Sequence, residues 1–230
     1  MKTLAQKVII YDDVCPMCKA YTSGFVQLGW LPIENRLGFS EAPHDILTKI
    51  DQNRARHEIP LYDKVTGETL YGKDALFYIL GEQMPALKPL FRFFLFRAFV
   101  LAFYQIITYN RRIIAGSQKP KMGFDCAPDF NAFYRWLYIV LAGVGFLYYF
   151  FNNVLIFGQE CFTLIFAVFI GILRGVFFSN FQKQTDYFGH LVTVLLIVQL
   201  LFVGFGVHYY TLNILPLVGV YFFTKRLRSE

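Results

Sequence analysis

The first third of the chain alternates short apolar runs with amphipathic stretches. Residues 7–11 form a β-branched run, which predicts a buried strand that ends at Asp12 and Asp13. A helix is predicted from Pro16 to about Leu28, because apolar residues recur there three and four positions apart. Beyond it, the pattern predicts a strand at 33–37, a helix at 40–50, a hairpin of 60–63 and 68–72, and a helix at 73–80 that ends at Gly81. The predicted order is βαβαββα.

The last hundred residues follow a different pattern. No charged residue occurs in 136–159 or in 187–222, and 162–180 contains only Arg174. At about 1.5 Å per residue, the long charge-free stretch would make a helix of about 54 Å, nearly twice the thickness of a hydrocarbon core. It must therefore fold back, and the glycine- and tyrosine-rich segment 204–213 is the predicted turn. These stretches predict four membrane spans.

Composition and charge agree with a membrane region. The chain is 56% hydrophobic but only 17% charged, and most charged residues precede position 136. The basic residues of the second part lie beside predicted membrane entry points, which places both termini in the cytoplasm and the protein in a bacterial inner membrane. The net charge of +6 is thereby explained without nucleic acid, for which no binding motif is present.

Three regions are therefore predicted. Residues 1–84 form an α/β domain, and 135–230 form an α-helical transmembrane region. Residues 85–134 hold a long helix and a linker. Since Arg92 and Arg97 interrupt its apolar stripe, this helix is expected to lie at the membrane interface or to close the first domain, rather than to form a fifth span.

The candidate chemistry is a Cys15-Pro16-Met17-Cys18 motif that follows the first strand and opens the first helix. Helix N-termini stabilise thiolates, and Pro16 suits the first helical position because it has no N–H to satisfy. Cys15 is predicted to be the nucleophile. Cys18, one turn later, can resolve a mixed disulfide formed at Cys15.

Nearby charges act on the Cys15 thiol in opposite directions. Lys19 is expected to favour the thiolate of Cys15, whereas Asp12 and Asp13 oppose it.

The C-x-x-C motif has two other interpretations: half of a zinc site, or an inert pair of buried cysteines. Zinc needs two more ligands, and Cys126, His44 and His57 lack ligand-pair spacing, so no metal is expected. Cys126 is either a third redox thiol or a packing residue of the linker.

At this point the chain resembles a known family. The segment Tyr11-Asp-Asp-Val-Cys-Pro-Met-Cys18 is similar to the Y-D-G-x-C-x-x-C signature of the DCC family, thioredoxin-like proteins regarded as thiol-disulfide oxidoreductases. Pro60 and Gly67, followed by Tyr71-Gly-Lys-Asp-Ala75, resemble the later pattern of that family, and Tyr109-Asn-Arg-Arg112 resembles its closing stretch. The match covers about residues 7–115.

The resemblance implies a thioredoxin-like fold in which Pro60 is a cis-proline that faces the cysteines and exposes a backbone edge to substrate. From the residues alone, a trans proline that opens a strand is equally satisfactory. One departure stands out. Asp13 occupies the position of the family glycine, where the backbone can have a positive φ, and adds a negative charge near Cys15.

The leading hypothesis is a membrane-anchored, cytoplasm-facing thiol-disulfide oxidoreductase that exchanges dithiols through Cys15 and Cys18. Its expected partners are the lipid bilayer, a protein or small-molecule thiol or disulfide, and a cytoplasmic reductant, without a bound cofactor. A non-catalytic thioredoxin-like binding module is one alternative. The other is a membrane carrier or lipid-modifying protein that the redox state of the cysteines regulates, with a polar pocket among Arg174, Asp186 and His190.

Overall fold

The computed structural model describes residues 4–116, 128–157, 168–169, 171–173, 175–176 and 180–205. The chain divides into two compact units, Met1–Asp129 and Phe130–Glu230. The first unit therefore extends past the predicted boundary at residue 84 and includes the long helix of the middle region.

The first unit is built on a mixed four-stranded sheet. Its strands are β1 (Lys7–Tyr11), β2 (Arg36–Gly38), β3 (Pro60–Asp63) and β4 (Thr69–Tyr71). The spatial order is β2-β1-β3-β4, in which β1 and β2 are parallel and the other pairs are antiparallel. The strand and hairpin predictions are confirmed, although β2 begins later than expected because a 3₁₀ turn occupies Ile33–Asn35.

Strand β1 is apolar from Val8 to Tyr11 because it is covered on both faces of the sheet. Ile9 and Tyr11 belong to one hydrophobic core, whereas Val8 and Ile10 belong to another. Alternate side chains of a strand point to opposite faces, so two separate cores follow from an uninterrupted apolar run.

Six helices accompany this sheet in the described part of the first unit: α1 (Pro16–Gln27), α2 (His44–Leu47), α3 (Gln52–His57), α4 (Gly72–Gln83), α5 (Lys88–Arg92) and α6 (Phe94–Ala115). The helix predicted at 40–50 is confirmed only over the four residues of α2. A second short helix, α3, was not predicted, and it begins where the Asp51 carboxylate accepts a hydrogen bond from the Arg54 N–H at 3.0 Å. Helix α4 also continues through Gly81 to Gln83 instead of ending there.

Helix α6 packs against α1 and α4 and so closes the first unit. It follows α5 after a bend of 89°, at which Phe93 has an extended backbone conformation. Gly116 ends it with a φ of 61°, the left-handed conformation that favours glycine at a helix C-terminus.

The pattern Tyr71-Gly72-Lys73-Asp74-Ala75 holds α6 in this position. A Cβ atom on Gly72, which has a φ of 54°, would lie 3.0 Å from the hydroxyl of Tyr104 on α6. The Asp74 carboxylate pairs with Arg97 of α6 at 2.9 Å. Glycine at position 72 and a carboxylate at position 74 therefore permit the close approach of the helix.

The second unit contains α7 (Ala132–Phe157) and α8 (Phe181–Phe205), which pack against each other. Their contact includes a 2.6 Å hydrogen bond between the hydroxyls of Tyr138 and Thr193. Four buried side chains form its core: Phe146, Tyr187, Leu191 and Leu195.

Among the described residues, one helical segment, Ala132–Asn152, is by itself long and apolar enough to cross a membrane, with a mean hydropathy of 1.3. The bent pair Pro85–Arg92 and Phe94–Ala115 meets the same criterion when taken as one span. The first and third predicted spans are helices. The fourth and most of the second lie outside the described residues, so the structure does not show a four-span bundle.

Candidate active site

A tight turn leads from β1 into α1 and places the C-x-x-C motif. The Asp12 carboxylate accepts hydrogen bonds from the backbone N–H groups of Val14 at 3.0 Å and Cys15 at 3.2 Å. Cys15 is the N-cap residue of α1, in an extended conformation, and Pro16 takes the first helical position as predicted. Asp12 thus sets the chain direction that brings both cysteines to the start of the helix.

The two cysteines are free thiols that lie side by side in the hydrophobic core. Cys15 is 2% exposed and Cys18 is 6% exposed. Their sulfurs and a carboxylate oxygen of Asp12 all lie within 4.8 Å of one another. The structure therefore brings together the two residues predicted to exchange disulfides, with little exposure to solvent.

The two thiols differ in acidity: the pKa of Cys15 is lowered and that of Cys18 is raised. A hydrogen bond from the Cys18 thiol lowers the pKa of Cys15 to about 6, and the Cys18 backbone N–H and the Arg111 guanidinium act in the same direction. Burial and the Asp12 carboxylate oppose this change. The pKa of Cys18 is raised, because its proton is shared with the Cys15 sulfur and the residue is buried. Cys15 is thus the thiolate at neutral pH, and Cys18 retains its proton.

Arg111 is the cation of the site. Its Nη1 lies 3.8 Å from the Cys18 sulfur, and its Nη2 lies 3.4 Å from Asp12 Oδ2 and 3.2 Å from the backbone carbonyl of Arg56, to which it donates a hydrogen bond. Its side chain is only 8% exposed. A guanidinium with several fixed acceptors stays in one place, so its charge acts on the sulfurs with little loss to solvent.

The position of Arg111 follows from the buried face of α6. Thr108, Asn110 and Ile113 are buried beside it. Asn110 is fully buried, and its side-chain amide donates to the Ile106 carbonyl at 2.8 Å. The resemblance of the stretch 109–112 to the family's closing stretch does not by itself indicate a role for Arg111. The available signal was the spacing of Tyr104, Thr108 and Arg111, which puts a cation on the packed face of the helix.

Lys19 and Asp13 do not occupy the predicted positions beside Cys15. The Lys19 side chain is exposed on α1. The Asp13 carboxylate turns toward the end of β2, where it accepts hydrogen bonds from the backbone N–H and hydroxyl of Ser40. No described residue other than glycine has a positive φ, so Asp13 does not need the conformation that the family glycine permits. The charged residues with the largest effect on the pKa of Cys15 are Arg111 and Asp12.

Pro60 opens β3 at the same end of the sheet as the cysteines, because β3 is antiparallel to β1. Its peptide bond is trans, so the cis-proline implied by the resemblance is wrong. The residue is fully buried in an inner strand, opposite Tyr71 of β4. The neighbouring Ile59 carbonyl accepts a hydrogen bond from the Gly72 N–H at 3.0 Å. Burial and this bond explain how a trans proline fits: it begins an internal strand instead of an exposed edge.

Asp12, Cys15 and Cys18 are also the three donors that could hold a metal ion in the described residues. Structural zinc takes four ligands, and the guanidinium of Arg111 lies next to two of the three. A fixed positive charge at that distance favours an anionic thiolate over a bound cation.

In the second unit, Asp186 forms an ion pair with Arg135. The polar pocket predicted among Arg174, Asp186 and His190 is not assembled in the described residues, because Arg174 lies outside them. Cys126, Cys161 and His208 also lie outside the described residues.

No protein-family model, curated protein or solved structure matches this chain.

Proposed function

We propose that the chain is a membrane-anchored thiol-disulfide oxidoreductase that faces the cytoplasm and belongs with the DCC proteins it resembles. The observation that carries the proposal is the pair of free thiols at the start of α1, of which one has a pKa of about 6. The motif also lies in a parallel β1-α1-β2 unit, the setting in which C-x-x-C is typical of thioredoxin-like redox domains.

The reaction begins when the Cys15 thiolate attacks a substrate disulfide. A Cys15 mixed disulfide forms, and one substrate sulfur leaves as a thiolate. Cys18 then attacks the Cys15 sulfur of the mixed disulfide and passes its proton to the second departing sulfur. The product is a Cys15–Cys18 disulfide, and two electrons have moved to the substrate. A cytoplasmic dithiol reductant regenerates the pair by the reverse exchange.

Arg111 supports the second step in particular. Cys18 must lose its proton inside the core, where an isolated anion is costly. The guanidinium 3.8 Å from its sulfur offsets this cost as negative charge develops. Because Arg111 acts through the sulfurs, it is a positioning residue.

The test uses the full chain in lipid nanodiscs, with Cys126 and Cys161 replaced by serine so that two thiols remain. Cys18→Ser should accumulate a mixed disulfide with a disulfide-bonded peptide, and Cys15→Ser should form none. Met17→Leu, which conserves volume between the two cysteines, is the matched control and should retain activity. If the Cys15→Ser variant reduced the disulfide at the wild-type rate, the proposal would be overturned.

A non-catalytic binding module is the second candidate, and the burial of both cysteines favours it. Cys15 and Cys18 are members of the same core as Phe25 and Leu61, which is the environment of packing residues. In that case Cys15 would be alkylated no faster than an ordinary thiol in the folded chain, and Cys18→Ser would trap no peptide.

A further inference from the structure

The outer face of α6 carries an apolar stripe, which we define as Phe94, Leu95, Ala98, Phe99, Ala102 and Phe103. All six residues are exposed. The exposed fractions are 76% for Phe94, 63% for Leu95, 69% for Phe99 and 56% for Phe103. The positions repeat at intervals of four, so they lie along one side of the helix over about two and a half turns.

The opposite side of the same helix holds it to the first unit. The Phe96 ring lies 6.2 Å from the rings of both Phe77 and Phe91, and Thr108 and Arg111 are buried further along. The stripe is therefore surplus to the packing of α6. If α6 served only the packing of the first unit, its solvent side would carry mostly polar side chains.

The stripe is comparable in size to the largest apolar patches of soluble monomers, which are often functional. Three phenylalanines that are more than half exposed present on the order of 300 Å² of apolar surface, to which Leu95 adds. The bend before α6 adds a corner, where Phe93 is 56% exposed and Leu90 is 42% exposed. Contiguous patches of this size mark membrane or protein interaction sites.

The charges around the stripe identify the occupant. Three exposed basic residues flank the stripe: Lys88, Arg92 and Arg97. Lys88 pairs with Glu82 and Arg97 pairs with Asp74, and the segment 88–115 itself contains no aspartate or glutamate. Arg92 is exposed at the bend. A row of bulky apolar side chains beside exposed basic residues is typical of helices that lie in the interface of an anionic bilayer. The chain also contains the helical segment Ala132–Asn152, which is long and apolar enough to cross a membrane and would hold the protein at a bilayer.

We infer that the stripe of α6 inserts into the anionic surface of a lipid bilayer, with Arg92 on the headgroups. Helix α6 then has a lipid face at its N-terminal half and a redox face at its C-terminal half. Twelve residues separate Phe99 from Arg111, so the thiols lie about 18 Å along the helix axis from the inserted side chains. On the proposed function, the disulfide substrates within reach are disulfide-bonded membrane proteins or amphipathic disulfides held at that surface.

The experiment places a photoreactive benzoylphenylalanine at position 99 in the full chain, reconstituted in vesicles of phosphatidylcholine and phosphatidylglycerol. The matched control carries the same residue at Ile33, which is 73% exposed and lies on a different part of the first unit. Mass spectrometry after illumination should find phospholipid attached at position 99, with no phospholipid at position 33 above that of a sample kept in the dark.

Two further measurements complete the test. In vesicles of the same composition, Arg92→Gln should lower the phospholipid adduct at position 99 by up to about fivefold, the loss expected for one basic residue at an anionic surface. A cross-link from position 99 to residues 130–230, or to a second copy of the chain, would overturn the inference, and so would equal lipid adducts at 99 and 33. The Cys15 alkylation rate, measured in parallel, reports the thiol chemistry separately.

Discussion

The guanidinium of Arg111 lies 3.8 Å from the sulfur of Cys18, although 93 residues separate the two in the chain. The same guanidinium pairs with Asp12, the residue that shapes the turn before Cys15. One side chain of α6 thus connects the end of β1, the start of α1 and a carbonyl in the last turn of α3.

The first prediction concerns the acidity of Cys15. With a pKa of about 6, its alkylation rate should reach half its maximum near pH 6 and stay almost constant from pH 7 to 9. Because the residue is only 2% exposed, iodoacetamide should react much faster than a bulky maleimide. The measurement is a pH series with each reagent on the chain that lacks Cys126 and Cys161. A midpoint above pH 8 would contradict the prediction.

Arg111→Gln tests which cation tunes the thiols. Removal of the guanidinium should raise the pKa of Cys15 toward its ordinary value, so that alkylation at neutral pH slows and its pH midpoint moves upward. It also leaves the buried Asp12 carboxylate without this partner, for which the expected destabilisation is about 3 kcal/mol. Lys19→Gln is the control, since the Lys19 side chain is exposed, and it should leave the midpoint unchanged. Equal shifts in the two variants would refute the role of Arg111.

Gly38→Ala tests the packing of β2 against the turn that holds the cysteines. A Cβ at this position would lie 2.9 Å from the Cβ of Asp13, an atom that cannot move without the backbone of the turn. We expect a loss of about 1–3 kcal/mol in the free energy of unfolding. Gly24→Ala, in the interior of α1 with no atom within 4 Å of its added Cβ, should instead stabilise the protein by about 0.5–1 kcal/mol. Chemical denaturation measures both, and the two variants should differ in sign.

Asp63→Asn tests the ion pair that joins β3 to β1. The Lys7 ammonium lowers the pKa of Asp63 to about 2, with help from the N–H groups of Val65 and Thr66. A carboxyl group with a lowered pKa stabilises the fold fully above its unfolded value of 3.8, and this advantage disappears as the pH falls toward 2. The free energy of unfolding of the variant should therefore be about 1 kcal/mol lower than that of the wild-type protein at pH 7, and almost equal to it at pH 2. A deficit that is the same at both pH values would contradict this account.

The sheet and the position of the thiols could be predicted because they depend on local patterns. The β-branched run of β1, the proline at the first position of α1 and Gly67 in the hairpin all carry their structural meaning within a few residues. Helix α3 was missed because it begins at a single capping side chain, that of Asp51. The continuation of α4 through Gly81 was missed because tertiary packing outweighs the low helix propensity of glycine.

The electrostatics of the site could not be predicted, because they depend on a contact between distant parts of the chain. Lys19 is adjacent to Cys18 in sequence, yet helical geometry directs it to solvent, whereas α6 carries Arg111 into the core. Asp13 is adjacent to Asp12, yet Ser40 holds its carboxylate at the end of β2. Neighbours in sequence were poor guides to neighbours in space at this turn.

The dependence of Cys15 on Arg111 also has a consequence for the newly made chain. A ribosome produces Cys15 and Cys18 well before residue 111, so the contribution of Arg111 to the acidity of Cys15 is absent until α6 docks. The thiol of Cys15 in the nascent chain is therefore less acidic than in the folded protein. It reaches its full acidity only when the first unit is complete.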